Sequence, residues 1–133
     1  MKNKINSQSL LSTLWIFVLL NIIFRDLHEF LNQGHIEEMM NLNISEETML
    51  FYGILLEIPI MMTVLSRILN NILNKWINVT VASLLMIGTL STLASADLDD
   101  IFFTLINTIA FLAIVYTAWK LPLKKNGNLS GVL

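Results

Sequence analysis

Hydrophobic residues in this chain are gathered into four long runs that are separated by short polar segments. The runs cover about residues 9–30, 46–69, 76–96 and 101–121. Each is close to the ~20 residues that an α-helix needs to cross the hydrocarbon core of a bilayer. The pattern therefore predicts an all-α membrane protein with four transmembrane helices.

The polar segments between the runs predict how the helices are arranged. Residues 31–45 form the longest loop, which we expect on the outer side of the membrane. In this loop Ile36, Met39, Met40 and Leu42 are spaced for a short amphipathic turn at the membrane surface. The turns at 70–75 and 97–100 are short, so sequential helices should pack antiparallel in an up-down-up-down bundle. Pro122 ends the last helix, and residues 122–133 form a basic cytoplasmic tail. We expect one integral membrane domain over residues 1–133.

The charges are sorted between the two predicted sides of the membrane. Seven of the 8 basic residues lie on one side: Lys2, Lys4, Arg67, Lys75, Lys120, Lys124 and Lys125. Nine of the 10 acidic residues lie on the other: Asp26, Glu29, Glu37, Glu38, Glu46, Glu47, Asp97, Asp99 and Asp100. Because basic residues near span ends favour the cytoplasm, this pattern predicts a multi-pass protein of a bacterial cell membrane with both termini cytoplasmic. We expect the first helix to be retained, because no small-x-small cleavage site follows it.

Composition excludes several classes of function. Only 14% of the residues are charged, against roughly 25% in soluble domains. The chain has no cysteine, which excludes disulfides and thiol chemistry. His28 and His35 match no metal-ligand spacing. With no nucleophile–base pair and no phosphate loop, we expect no enzymatic activity, no cofactor, no metal and no nucleic-acid partner.

Arg25 and Glu57 are the two charges that do not fit the sorting, since both lie in hydrophobic context. Counted from the outer end of its apolar run, Glu57 lies roughly 12 Å deep. An ionised carboxylate facing lipid there would cost about 2.5–3.5 kcal/mol. We therefore expect Glu57 to face the bundle interior, to pair with another group, or to be protonated.

Asn21, Arg25 and Asn107 lie in the same outer half as Glu57. Asn21 and Arg25 are four residues apart and share a helix face, and Asn107 lies about as deep as Glu57. Together they predict an outward-facing polar cavity, with Asn21, Glu57 and Asn107 at its floor and Arg25 at its rim. Two alternatives stay open: Arg25 either pairs with Glu57 or snorkels to the interface, and the asparagines either bind a ligand or join helices.

Two segments resemble a bacterial family of small four-span membrane proteins of unknown function. Residues 11–18 (LSTLWIFV), followed by Asn21 and Asp26, resemble its first helix. Residues 56–61 (LEIPIM), followed by residues 65–67 (LSR), resemble its second helix. The resemblance implies a four-helix bundle broadly similar to DoxX-like membrane proteins, and it implies no activity. Arg25 departs from the family pattern, in which a small or uncharged residue is expected.

Three functions are compatible with these patterns. We favour a non-enzymatic four-helix module in the lipid bilayer that binds a small-molecule ligand, a lipid or a membrane protein through the outward polar cavity. The second is a proton-coupled small-molecule transporter that uses Glu57, similar in length and span number to small multidrug exporters. The third is an accessory subunit of a membrane oxidoreductase, or an enzyme that modifies a lipid or a quinone. A second copy of the chain is a further candidate partner.

Overall fold

The computed structural model describes residues 6–123, and the description below is of those residues. They form five α-helices and one 3₁₀ turn. The helices are α1 (Ser7–Glu29), α2 (His35–Asn41), α3 (Glu46–Ile68), α4 (Asn71–Ser91) and α5 (Leu98–Trp119), and the 3₁₀ turn (Thr92–Ser95) extends α4. The prediction of an all-helical fold is confirmed, and α1, α3, α4 and α5 are the four predicted spans. The predicted tail beyond Leu123 lies outside the described residues.

Polar side chains fix where three of the long helices begin. The Oδ1 of Asn6 accepts a hydrogen bond from the backbone N–H of Gln8, and the Oγ of Ser45 accepts one from Thr48. The Oδ1 of Asn70 accepts one from the N–H of Leu73 at 3.0 Å. Each satisfies a backbone donor that the first turn leaves free. The cap at Asn70 makes α4 begin at Asn71, so the prediction of a turn up to residue 75 is wrong.

The predicted outer loop at residues 31–45 contains α2. Gly34 precedes this helix with a φ of +92°, a left-handed conformation that glycine adopts without steric cost. Ile36, Met39 and Met40 of α2 are exposed. The predicted amphipathic turn is therefore a two-turn helix that leaves apolar side chains uncovered by the rest of the described chain.

Pro59 lies inside α3 without ending it. Proline has no backbone N–H, so the carbonyl of Leu55 loses its helical donor. The hydroxyl of Thr63 donates to the carbonyl of Pro59 itself at 2.9 Å. The helix continues to Ile68, with Pro59 buried on its packed face.

The bundle is assembled around α1 and α5. Helix α1 packs along both α3 and α5, α4 packs along α5, and α3 and α4 touch only sparsely although they are consecutive. Leu11, Trp15 and Val18 of α1 and Phe111 and Ile114 of α5 are at most 1% exposed and form the centre of the core. The prediction that short turns make neighbours pack along their length holds for α4 and α5 but not for α3 and α4.

The long helices keep large apolar surfaces on the outside of the bundle. Their 18-residue windows have mean hydropathies of 1.7 to 2.0, and each is long and apolar enough to cross a membrane. Exposed leucine, isoleucine and phenylalanine side chains cover these outer faces. In water such surfaces would drive association, whereas in lipid they are solvated. The chain is therefore a four-helix bundle suited to a membrane.

Candidate functional site

The two ends of the bundle carry opposite charge. We call the end at Glu29, Glu46 and Asp97 the acidic end, and the end at Arg67 and Lys75 the basic end. A hydrogen bond from the Nε of Arg25 to the Oδ1 of Asp100, at 2.9 Å, joins α1 to α5 at the acidic end.

Arg25 is held at the acidic end by two carboxylates. Besides its bond to Asp100, its Nη2 lies 3.5 Å from the Oε1 of Glu29, one turn along α1. The side chain of Arg25 is 30% exposed. The alternative in which Arg25 pairs with Glu57 is therefore wrong, because the guanidinium reaches α5 and its own helix instead of α3.

Two histidines extend this group of charges. The Nε2 of His28 lies 3.6 Å from the Oδ2 of Asp99, and the Nε2 of His35 lies 3.6 Å from the Oε2 of Glu29. The charged cluster is thus defined by Arg25, His28, Glu29, His35, Asp99 and Asp100. It fastens the end of α1 to α2 and α5. In residues 6–123 no three histidine or carboxylate side chains are grouped so that they could hold a metal ion.

Asn21 lies deeper along the same seam between α1 and α5. Its Nδ2 donates to the backbone carbonyl of Phe103 at 3.1 Å. Side-chain amides commonly join transmembrane helices in this way. Its role as a ligand-binding residue and its assignment to the outer side of the membrane stay predictions.

A groove follows this seam on the outside of the bundle. Its part nearer the acidic end has a volume of about 560 Å³ and is lined by Asn21, Phe24, Leu27, His28, Leu31, Phe102, Phe103 and Ile106. A second part of about 260 Å³ continues toward the basic end and is lined by Leu14, Phe17, Ile106, Ile109, Ala110 and Ala113. Ile106 lines both parts, and together we call them the α1–α5 groove.

Small side chains on α5 leave space in the part of the groove toward the basic end. Ala110 and Ala113 are too small to fill the space beside Leu14 and Phe17, so the helices leave a channel between larger neighbours. The lining residues on α1, 14 to 28, span about 21 Å, and those on α5, 102 to 113, span about 17 Å at 1.5 Å per residue. The groove therefore runs along more than half of the ~30 Å thickness of a bilayer core.

Asn107 faces the bundle interior rather than the groove. It is 3% exposed, and its Oδ1 has no hydrogen-bond partner among residues 6–123. A buried acceptor without a donor costs about 1–3 kcal/mol. Asn107 is thus the predicted site residue with an unmet polar group, although no described residue completes a site around it.

Glu57 is separated from the other predicted site residues. It is exposed, whereas Pro59, Met62 and Ser66 of the same helix are buried. Ser66 follows Glu57 by nine residues, or about two and a half turns, which places the two on opposite faces of α3. Of the three alternatives for Glu57, the one in which it faces the bundle interior is wrong, because α3 uses its other face to pack against α1; pairing with another group and protonation stay predictions. A cavity floored jointly by Asn21, Glu57 and Asn107 is not formed.

The principal buried polar network lies near the basic end, and it contains none of the predicted site residues. The Oδ1 of Asn78 accepts from the Nε1 of Trp15 at 2.6 Å and from the Oγ of Ser66 at 3.1 Å. The Nδ2 of Asn78 donates to the Oδ1 of Asn74 at 2.6 Å, and the Nδ2 of Asn74 donates to the carbonyl of Ser66 at 2.7 Å. The network joins α1, α3 and α4. The four-residue spacing of Asn74 and Asn78, which places them on one helix face, was the available signal.

Two cations complete the basic end. The Nε of Arg67 donates to the buried hydroxyl of Ser12 at 3.0 Å. The Nζ of Lys75 lies 4.0 Å from the centre of the Trp119 ring. The partner of Arg67 is therefore buried, whereas Trp119, the partner of Lys75, is 56% exposed at the surface of the bundle.

Comparison with known proteins adds the family and no activity. No curated protein and no solved structure matches the chain. Residues 1–127 match the sequence model of one family, so nearly the whole chain is covered. The chain belongs to the family of unknown function DUF6326.

Proposed function

We propose that this protein is a non-enzymatic membrane module that binds an amphiphilic ligand with one apolar chain. The observation that carries the proposal is the α1–α5 groove, whose larger part has a volume of about 560 Å³. Ligand sites in proteins are typically concave, mostly apolar and about 300–1,000 Å³. The ligand would come from the surrounding membrane, to which the groove is open.

The lining of the groove supports an apolar chain. Its part toward the basic end has only apolar residues in its wall. The other part adds Asn21 and His28, whose amide and imidazole are the polar groups of the lining. A ligand would therefore lie with its chain beside Ala110 and Ala113 and its polar head near His28.

The charge at the acidic end supports a neutral or cationic head group. Nine acidic residues are gathered there: Asp26, Glu29, Glu37, Glu38, Glu46, Glu47, Asp97, Asp99 and Asp100. The guanidinium of Arg25 is already bonded to carboxylates. A surplus of negative charge repels anionic groups and raises the local concentration of cations. We propose an amine, a quaternary ammonium or a zwitterion as the head.

We also propose a cell-membrane location with both termini in the cytoplasm, which places the acidic end and the head-group region outside. The support is the charge sorting, since Arg67, Lys75 and Lys120 lie at the same end of the bundle as Asn6 and Leu123, where the described part of the chain begins and stops. Trp76 and Trp119 lie at that same end with ring centres 6.1 Å apart, as in an interfacial aromatic belt. The similarity to DoxX-like bundles, which the sequence suggested, is likewise a proposal.

A proton-coupled transporter is less well supported. That function needs a carboxylate that reaches a path through the bundle, whereas Glu57 is exposed on the outer face of α3. An oxidoreductase accessory role has no particular contact in its favour. The binding module is therefore the function we put forward.

Photo-crosslinking of the purified full chain tests the proposal. The probes are two alkyl diazirines of equal chain length, one with a trimethylammonium head and one with a sulfate head. We expect labelled peptides in α1 and α5, with labelling by the ammonium probe at least about fivefold stronger, a difference worth roughly 1 kcal/mol.

A matched pair of variants separates groove binding from general solvation by detergent or lipid. Ala113→Phe places a ring in the groove and should reduce labelling by about tenfold, or roughly 1.4 kcal/mol. Ile87→Phe enlarges an exposed side chain on α4 and should leave labelling unchanged. Labelling spread evenly over the four long helices, or unaffected by Ala113→Phe, would contradict the proposal.

A further inference from the structure

The face of α3 that points away from the bundle carries a stripe of residues that resembles a helix–helix interface. The stripe consists of Leu50, Gly53, Glu57, Ile60 and Val64, and we call it the α3 stripe. Its members are separated by three, four, three and four residues, which places them on one face of the helix. All five are exposed, with Leu50 at 66%, Ile60 at 42% and Val64 at 55%.

Glu57 is the member of the stripe that lipid cannot solvate. It lies about three turns from the start of α3, between exposed apolar residues on both sides along the helix. In residues 6–123 it makes no hydrogen bond and no ion pair, since the charged cluster involves α1, α2 and α5. Ionisable groups within a membrane are commonly paired with one another or with a polar group on a neighbouring helix.

Gly53 is the member of the stripe whose small size is not required by packing within the chain. A Cβ at this position would meet no heavy atom within 4 Å, and Gly53 has no positive φ. A glycine inside a helix costs about 1 kcal/mol relative to alanine. Small residues at such positions let two transmembrane helices approach closely. Gly53 lies one turn from Glu57, so a close approach would bring a second helix onto the carboxyl group.

We propose that the α3 stripe is the interface of a homodimer, in which α3 of one copy packs against α3 of a second copy. A two-fold axis along the membrane normal would place the two Glu57 side chains at the same depth. Two carboxyl groups that share one proton are complementary, because one donates a hydrogen bond and the other accepts it. This also satisfies the expectation that Glu57 pairs with another group.

A second copy is favoured over a cationic partner helix by the composition of the stripe. In a parallel pair each apolar member of the stripe packs against the same residue of the second copy, so the stripe is complementary to itself along its length. These members are Leu50, Ile60 and Val64. Two-fold dimers are also the commonest assemblies of identical chains. A partner with a lysine or arginine at the depth of Glu57 is the competing occupant, and the experiment below distinguishes it.

The absence of cysteine from the natural sequence allows a clean cross-linking test. Ile60→Cys and Val64→Cys place single thiols on the stripe, and Leu84→Cys and Leu112→Cys place them on exposed faces of α4 and α5. The full chain is oxidised in native membranes and separated without reductant. We expect the two stripe variants to form disulfide-linked dimers at least about fivefold more than the two controls, a ratio equivalent to roughly 1 kcal/mol.

Substitutions within the stripe test the role of the carboxyl group. In the Ile60→Cys background, Glu57→Leu removes the polar pair and Gly53→Leu blocks close approach, so each should abolish most of the dimer. Glu57→Gln should retain it, because two amides also donate and accept. The melting temperature at protein dilutions that give monomers should not fall in any of the three, since neither the Glu57 side chain nor a Cβ at residue 53 packs within the chain. Gly53→Leu should raise it slightly, because leucine has the higher helix propensity.

Three outcomes would overturn the homodimer. The first is equal cross-linking at stripe and control positions. The second is a dimer that persists in full after Glu57→Leu and Gly53→Leu. The third is cross-linking by bifunctional thiol reagent to a different protein with no dimer of the chain itself, which would assign the stripe to a heterologous partner. None of these outcomes bears on the α1–α5 groove, because the groove lies on other helices.

Discussion

The basic and acidic ends of the bundle use polar residues in opposite ways. At the basic end, Trp15, Ser66, Asn74 and Asn78 are fully buried and bonded to one another, so α1, α3 and α4 are held together. At the acidic end, the charged side chains are about a quarter to a half exposed, and α1 and α5 are joined across a groove. Buried, satisfied polar groups specify packing, whereas half-exposed charges leave surface for binding. The basic end is thus the structural anchor and the acidic end the candidate site.

Removal of the central amide at the basic end should have the largest effect. Asn78→Leu leaves the indole N–H of Trp15, the hydroxyl of Ser66 and the Oδ1 of Asn74 without their partner. We expect a loss of about 2–4 kcal/mol in the free energy of unfolding, because each buried orphan costs about 1–3 kcal/mol and some will find new partners. Thermal unfolding in detergent should show a melting temperature lower by about 10 °C.

Thr80→Leu is the matched control for that change. Thr80 lies on the exposed side of α4 two residues from Asn78, and it should shift the melting temperature by no more than about 2 °C. Equal shifts for Asn78→Leu and Thr80→Leu would mean that the network does not anchor the helices.

Loss of the cation at the acidic end should have a smaller effect that depends on salt. Arg25→Gln removes the ion pairs with Glu29 and Asp100 and leaves both carboxylates without their cation. Because the group is about 30% exposed, we expect a loss of about 1 kcal/mol. The difference from the natural chain should shrink when unfolding is measured in 1 M rather than 0.05 M salt. A shift as large as that of Asn78→Leu would contradict the contrast between the ends.

Asn107→Leu should have the smallest effect and the opposite sign. Its Oδ1 has no described partner, so an apolar side chain of similar size removes a cost and should stabilise the protein by up to about 1 kcal/mol. Asn21→Leu makes the same chemical change but loses the bond to Phe103, and should destabilise by about 0.6–1.7 kcal/mol. Melting temperatures of the two variants should therefore move in opposite directions. A fall for both would show that Asn107 binds an ordered water or a ligand.

The four spans could be predicted from sequence because their apolar runs are long and uninterrupted. The positions of helix ends were less accurate: α4 begins at Asn71 rather than near residue 76, since the cap by Asn70 depends on one side-chain rotamer. The partner of Arg25 could not be predicted either. Several carboxylates lie at its depth, and only the rotation of α1 against α5 decides that Asp100 is the one in reach.

The orientation of α3 is the feature in which the structure differs most from the prediction. Helix α3 itself has apolar residues on every face, so the periodicity of its sequence does not distinguish the face that packs in the bundle from the face that contacts lipid. Glu57 was assigned inward because burial among helices is the usual place for a membrane carboxylate. Contact of Pro59, Met62 and Ser66 with the core turns Glu57 outward instead.

The sequence by itself determined the number of spans, the helical class and the sorting of charge, because these depend on the length and polarity of local segments. Tertiary structure decided which polar groups meet, where the α1–α5 groove lies and which way Glu57 faces. The physical reason is that lipid is as apolar as a leucine-rich core. Hydrophobicity can place a helix in the membrane, but only side-chain packing and hydrogen bonds between helices fix its rotation.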